Sequence, residues 1–260
     1  MIRELLISAN ETQDRYKFIF AHQQGAGGSM AAKAVQRDSN LSLLASTSSF
    51  FIRPELYENS HSVNDFSMIS AVCLGQPLGL LSKNKNLLNG AGEEITIGVI
   101  PGSVTSLVAI SLMQNNKEFS LRLVPFKSTP SATTSMLGEH IDGNIDFVGK
   151  LTIERLNGLA GIVGITGNQN KGKYQTFESL GISGLTEIVN DYFIFAPNNV
   201  DELVKKELNE IFNKAINEKV TRICQDAYGN IRQLSYPEAT QLQKIKEESW
   251  KRITSTIEKS

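Results

Sequence analysis

Tyr16–Val35, YKFIFAHQQGAGGSMAAKAV, decides how the chain is read: an apolar, strand-like run breaks into Gly25-Ala26-Gly27-Gly28-Ser29 and resumes as a helix-forming segment. Glycines let the backbone turn sharply and approach a ligand. The first amides of the following helix point outward unpaired, and Ser29 is able to cap them. Such a turn suits an anion, and it equally serves as a tight strand-to-helix loop with no ligand; the motif alone does not choose between them.

Outward from this stretch the same plan recurs. Ile95–Ile100 reads as a strand, Pro101-Gly102-Ser103 as its turn and Val104–Gln114 as a helix. Leu121–Phe126 repeats it, with Lys127-Ser128 as the turn, Thr129 as N-cap, Pro130 at the first helical position and Gly138 past the end. Strands alternating with helices predict an α/β fold with parallel sheet, whose ligands collect at the carboxyl ends of the strands. Leu41–Ser46 is a further strand, entering the hydroxyl-rich turn Ser46-Thr47-Ser48-Ser49. Phe66–Leu81 is apolar but broken by Gly75, Pro77 and Gly79, which predicts two strands or one bent strand rather than a helix. Ile145–Val148, Leu159–Thr166 and Tyr192–Ala196 complete the strands.

Before and after this core the pattern is helical. The opening MIRELLISAN places Ile2, Leu5, Leu6 and Ile7 on one side of a short amphipathic helix. Beyond Pro197, Asn199 is the expected cap of a helix with Leu203, Leu208, Ile211, Phe212 and Ala215 on one face. Val220–Tyr228 is a shorter helix stopped by Gly229. Ser235 and Glu238 form a capping box ahead of a last helix striped by Leu242, Ile245, Trp250, Ile253 and Ile257.

Composition removes several function classes. With 40% hydrophobic and 20% charged residues in 260, the chain is an ordinary globular one, and 26 Lys and Arg against 27 Asp and Glu offer no global field for nucleic acid or an anionic membrane. An anion would have to be held by local dipoles. Cys73 and Cys224 lie far apart and outside any metal-ligand spacing, so two buried thiols are expected ahead of a disulfide. His22, His61 and His140 read as solvated or hydrogen-bonded structural histidines, and no metal or cofactor is expected. No apolar run is long enough to span a bilayer, and none reads as a signal peptide. Nucleophile, zinc-protease and P-loop motifs are absent, and Asp142 and Asp146 read as a solvated turn rather than an acid/base pair, so the chain is not expected to be an enzyme. A phosphate-ester or nucleotide enzyme would need those two carboxylates to be essential.

Taken as an ordered set, FAHQQGAGGSMAAKAV from Phe20, LSLLASTSSFFIRPELY from Leu41, DFSMISAV from Asp65, IPGSVTSL from Ile100, LVPFKSTPSATTSMLGEHID from Leu123, TFESLGI from Thr176 and YFIFAP from Tyr192 resemble the periplasmic binding receptors of tripartite tricarboxylate transporters, the Bug-type solute-binding proteins. The resemblance implies a two-lobed, type II-like periplasmic-binding-protein architecture that closes on a small carboxylate in an interlobe cleft. It implies a periplasmic monomer that hands its ligand to membrane permease subunits without chemistry. The lobes are then expected at residues 1–95 and 96–195, with 196–260 returning to the first lobe and crossings near Glu94–Ile95 and Phe195–Pro197.

By position in the matching blocks, Gly27, Gly28 and Ser29 face the cleft, Thr47 and Ser48 form its second loop, Gly102, Ser103 and Thr105 open the second lobe, and Ser131 with Ala132 meets the ligand at a helix start. Lys127 matches the lysine of a family turn, where a surface or structural role is favoured over ligand contact. Three departures stand out. Asp38-Ser39-Asn40-Leu41-Ser42 replaces an Asp-Gly-Tyr-Thr block, Ser128 replaces a glycine, and Met1 falls within the helix that follows the family's first strand. That strand, its glycine loop and the export signal are therefore expected to be missing from the sequence as given, and the first lobe to be incomplete. A degenerate member acting as a sensor or interaction module without transport is the alternative.

Overall fold

The computed structural model describes residues 1–23, 25–38, 41–89, 94–116 and 118–256, with only the backbone of Leu151. Ser39 and Asn40 of the departing block, and Ile257 of the last stripe, lie outside the described residues. In chain order the elements are Ile2–Thr12 (α1), Ser29–Arg37 (α2), Leu44–Thr47 (β1), Ser49–Leu56 (α3), Phe66–Gln76 (β2), Leu78–Ser82 (β3), Glu94–Val99 (β4), Val104–Asn115 (α4), Ser120–Pro125 (β5), Thr129–Leu137 (α5), Gly143–Phe147 (β6), Lys150–Leu156 (α6), Gly161–Ile165 (β7), Asn190–Pro197 (β8), Glu202–Ala215 (α7), Glu218–Asp226 (α8) and Tyr236–Ser255 (α9).

These form two compact units. Unit 1 comprises Met1–Leu74, Asp191–Gln225 and Gly229–Thr256; unit 2 comprises Gly75–Asn190 and Asp226–Tyr228. The chain changes unit at Leu74–Gly75 and Asn190–Asp191, whereas the resemblance put the crossings near Glu94–Ile95 and Phe195–Pro197. The reason is local: β2 runs unbroken through the changeover, and Pro77, which lacks a ladder donor, only separates it from β3. β3 then pairs with β6 and β7, so it belongs to the second unit and not to residues 1–95 as a block.

Unit 1 holds a three-stranded sheet in the order β1-β8-β2. Successive side chains of a strand face opposite ways, and β8 has helices to bury on both sides. Phe193 and Phe195 meet Phe50 and Phe51 of α3, with Phe50 and Phe195 stacked at 4.0 Å. Ile194 and Ala196 join Leu5 and Ala9 of α1 and Leu208, Ile211, Phe212 and Ala215 of α7. Two buried faces explain why the strand reads as an unbroken apolar run. Ile7, read from the sequence as part of the buried side of α1, is 50% exposed.

The strand-like run Tyr16–Ala21 joins no ladder among the described residues. Amide side chains replace a strand partner: Tyr16 N–H and C=O bond Gln13, and Phe18 N–H and C=O bond Asn10, at 2.7 to 2.9 Å. Propensity is thus satisfied locally, without a sheet.

Unit 1 also corrects the cysteine reading. Cys73 of β2 and Cys224 of α8, 151 positions apart, form a disulfide with both residues fully buried. Beside it Leu74 and Asn230 exchange backbone hydrogen bonds of 2.9 and 2.7 Å. The helix caps shift slightly from expectation: Asp201, not Asn199, caps α7 by accepting from Leu203 N–H and Val204 N–H. The Glu238 carboxylate bonds Ser235 as the capping box requires.

Unit 2 holds a five-stranded sheet in the order β5-β4-β6-β3-β7. β4 is parallel to β5 and β6, while β3 is antiparallel to β6 and β7, so the sheet is mixed where strand-helix alternation predicted a parallel one. α4 is buried along almost its whole length, from Val104 to Leu112. α5 approaches β4 closely because Gly98 has no side chain: a Cβ there would lie 2.7 Å from Ile141 and 3.0 Å from Ala132.

Candidate anion-binding site

In unit 2 the parallel arrangement of β5, β4 and β6 puts their carboxyl ends on one edge, and Phe126 N–H bonds Val99 C=O across the ends of β5 and β4 at 2.9 Å. α4 and α5 start from that edge. Gly102, at φ +70°, makes the turn that only a residue without Cβ adopts freely. Ser103 then caps α4, accepting from Thr105 N–H at 3.2 Å and donating to Ile100 C=O at 2.8 Å. The Thr105 hydroxyl is buried and accepts Ile100 N–H at 3.1 Å, so it shapes the turn from inside.

At the neighbouring strand end Ser128 is the cap of α5, with Thr129 first and Pro130 second, one residue earlier than the sequence suggested. Exposed Ser131 donates to Ser128 C=O at 2.8 Å, and Ala132 is buried toward Gly98. Lys127 is exposed beside the cap. Helix starts carry partial positive charge and free N–H groups, so this edge can hold an anion without a cationic side chain.

Beneath α5 lies a polar seam. Asn144 bonds Thr133 at 3.2 Å, and Asp146, two residues along β6, accepts Phe147 N–H at 2.7 Å and lies 3.7 Å from Arg155 of α6. Asp146 is therefore no solvated turn residue: it is buried, whereas Asp142 is exposed and bonds Thr96. Burial pushes the Asp146 carboxyl up; Phe147 N–H, Arg155 and the hydroxyls of Thr129 and Thr133 pull it back only partly. A carboxyl raised on folding contributes stability below its ordinary range and loses it as pH rises through the folded value. Asp146→Asn is accordingly expected to stabilise the protein at pH 7.5 relative to wild type. The difference should be about 1.4 kcal/mol per pH unit of elevation and should vanish near pH 3, as checked by urea unfolding at both values.

In unit 1, Gly27 at φ 58° and Gly28 at φ 95° turn the chain into α2. Gly28 lies against the end of β1, where a Cβ would come within 3.7 Å of Ser46 Oγ. The glycine loop, Ser46 and half-buried Thr47 are thereby brought together at the starts of α2 and α3. The two remaining residues turn inward. Ser29 is buried, with its hydroxyl 2.7 Å from Ser60 and 2.9 Å from His61 Nδ1. Ser48 is buried and accepts Asp191 N–H at 3.0 Å, while the Asp191 carboxylate pairs with Lys246 at 2.6 Å.

Sequence reasoning named Ser128 and Ser46 as turn residues but left both out of the site, and it missed the roles of Asp146 and His61. Ser128 had a readable signal, the Ser-x-x-Ser spacing that lets residue 131 N–H bond it. Among the described residues no group of three or more His, Cys, Asp or Glu side chains could hold a metal ion, and no helix is long and apolar enough to cross a membrane.

Solved structures with this arrangement exist. The periplasmic binding protein BugD superposes with a TM-score of 0.82 at 18% identity, covering 98% of this chain and 91% of its own. The chain has the fold of the Bug/TctC-type periplasmic binding proteins. MatC (Rpa3494) from Rhodopseudomonas palustris, solved with bound malate, shares the fold at TM-score 0.82 and 17% identity over 96% of this chain and 92% of its own. R. palustris Rpa4515, solved with adipate, does so at 0.84 and 15% over 98% and 91%. No family model matches the sequence, and neither does any curated protein. The Bug/TctC-type fold accounts for the two α/β units, each with its own sheet.

Proposed function

We propose that this protein is an extracytoplasmic receptor that captures a small organic carboxylate at its helix starts. It presents the ligand, as a monomer and without chemistry, to a tripartite tricarboxylate-type permease. The observation that carries the reading is the shared edge of unit 2, where two capped helix starts flank Gly102, Ser103 and Ser131. The glycine loop of unit 1 supplies a comparable start. Two structures with this fold, one solved with malate and one with adipate, support the ligand class. The Cys73–Cys224 disulfide supports an oxidising compartment outside the cytoplasm.

Each charge-assisted hydrogen bond to a carboxylate contributes roughly 1.5–3 kcal/mol, so four of them near the upper value give about 12 kcal/mol, which leaves roughly 8 kcal/mol, a micromolar Kd, after an association cost of about 4 kcal/mol. Titration calorimetry with malate, succinate, adipate and citrate is expected to find at least one ligand at that level. At a hundredfold excess over Kd that ligand raises unfolding stability by about 2.7 kcal/mol. A flat response across the panel by folded protein would remove the proposal. Capture of a permease subunit from detergent-solubilised membranes, dependent on that ligand, tests the second half.

A further inference from the structure

His61 is buried and is used by nothing described so far as ligand-binding. Its ring stacks on Phe50 with centroids 4.7 Å apart. Nε2 lies 2.9 Å from Phe50 C=O, and since a carbonyl only accepts, Nε2 carries the proton. Nδ1 of the neutral ring is then an acceptor, and the Ser29 hydroxyl at 2.9 Å donates to it. Ser60, 2.7 Å from Ser29 Oγ, donates in turn.

The Phe50 carbonyl is open to His61 for a reason legible in the chain: its helical donor would be the N–H of residue 54, which is proline. Ser29 is the first residue of α2 and Phe50 the second of α3. The imidazole is thus a tie with one end on each of the two helices whose starts carry the unit 1 candidate residues.

We infer that His61 is a positioning residue that holds the starts of α2 and α3 together while its ring is neutral and releases them when the ring gains a proton. A charged ring in this place has lost most of its water and faces Lys33 from α2 and Arg53 from α3, with only Asp65, from the turn before β2, opposed to them. Burial, then those two cations, hold the ring's titration below the ordinary histidine range, against the pull of Phe50 C=O and Asp65. The tie therefore contributes fully above about pH 6.5, and its contribution is lost as pH falls toward the folded value. The effect on ligand rests on the receptor reading; the tie itself does not.

Hydrogen exchange on the whole chain, corrected for intrinsic rates and followed by mass spectrometry at pH 7.5 and 5.0, tests it without ligand. Wild-type protection in peptides covering 25–37 and 48–56 should fall at least tenfold on acidification, while that of 104–115 in unit 2 holds. His61→Phe keeps the stacked ring and removes both nitrogens, and should show the lower protection at both pH values; His61→Gln, smaller and uncharged, should be equally insensitive to pH. Wild-type protection unchanged by pH, or His61→Phe matching wild type at pH 7.5, overturns the inference. In a second arm with malate, wild-type affinity should drop at least fivefold more than that of His61→Phe between pH 7.5 and 5.5, the variant accounting for the ligand's own titration. An equal drop overturns the link to binding. Absence of malate binding alongside an intact exchange step leaves the tie standing and counts against the receptor reading instead.

Discussion

Replacing Cys73 and Cys224 together by alanine is expected to lower the stability of unit 1 by about 5 kcal/mol, the largest effect of any change considered. Closing a loop of 151 positions removes that much chain entropy from the unfolded state in the simplest account. Both residues are fully buried, so alanine also leaves small voids where the sulfurs stood. The only tryptophan, Trp250, is buried in unit 1, so urea unfolding followed by its fluorescence reads the unit that carries the cross-link. Wild-type protein under strong reductant should approach the variant, and the variant itself should ignore reductant. A loss under 1 kcal/mol would show that the neighbouring Leu74–Asn230 pair already holds the two segments.

The cysteines illustrate what a single sequence conveys about this fold. Their burial could be anticipated from residue type, but their pairing could not, because nothing local records that β2 and α8 meet. Strands are legible where apolar residues run together: Tyr192–Ala196 is apolar throughout and falls in β8, and Ile95–Val99, apolar but for Thr96, falls in β4. Tyr16–Ala21, apolar but for Lys17, joins no ladder among the described residues, and Asn10 and Gln13 bond the backbones of Tyr16 and Phe18 instead. Pro54 reads as a breaker and lies inside α3, where His61 takes up the carbonyl that the missing N–H leaves. Direction within the sheet was hardest. The alternation of strand and helix gives parallel pairing for β4, β5 and β6, but β3 enters from the other unit's strand and runs against β6 and β7.

The site was legible as turns more than as side chains. Gly27, Gly28 and Gly102 have left-handed backbones, which their residue type announced. Ser29, Ser48 and Thr105 were chosen as hydroxyls at helix starts, yet each hydroxyl bonds an interior group: His61, Asp191 N–H and Ile100 N–H respectively. A serine at such a position is compatible with facing a ligand or facing inward, and only the three-dimensional partner separates the two. Asp142 and Asp146 are four residues apart, but Asp146 lies inside β6 and is buried, while Asp142 precedes the strand and is exposed.

Ser131→Glu should move stability and binding in opposite directions. Residue 131 is third in α5 after the Ser128 cap, where a glutamate completes a capping box by reaching back to Ser128 N–H. A negative charge in the first turn also complements the helix dipole, so the variant should be more stable than wild type by about 0.5 kcal/mol in thermal or urea unfolding. The same carboxylate would occupy the donors proposed for the ligand and repel it. Two like charges about 4 Å apart near a protein surface interact by roughly 4 kcal/mol, which corresponds to about a thousandfold loss of affinity. Ser131→Gln, equal in size and uncharged, separates the two contributions and should bind within about tenfold of wild type. Calorimetry on the three proteins with whichever carboxylate binds wild type decides the matter. A Ser131→Glu protein that folds more stably and still binds at wild-type strength would place the carboxylate away from α5, because two like charges about 4 Å apart still repel by about 1 kcal/mol in bulk water.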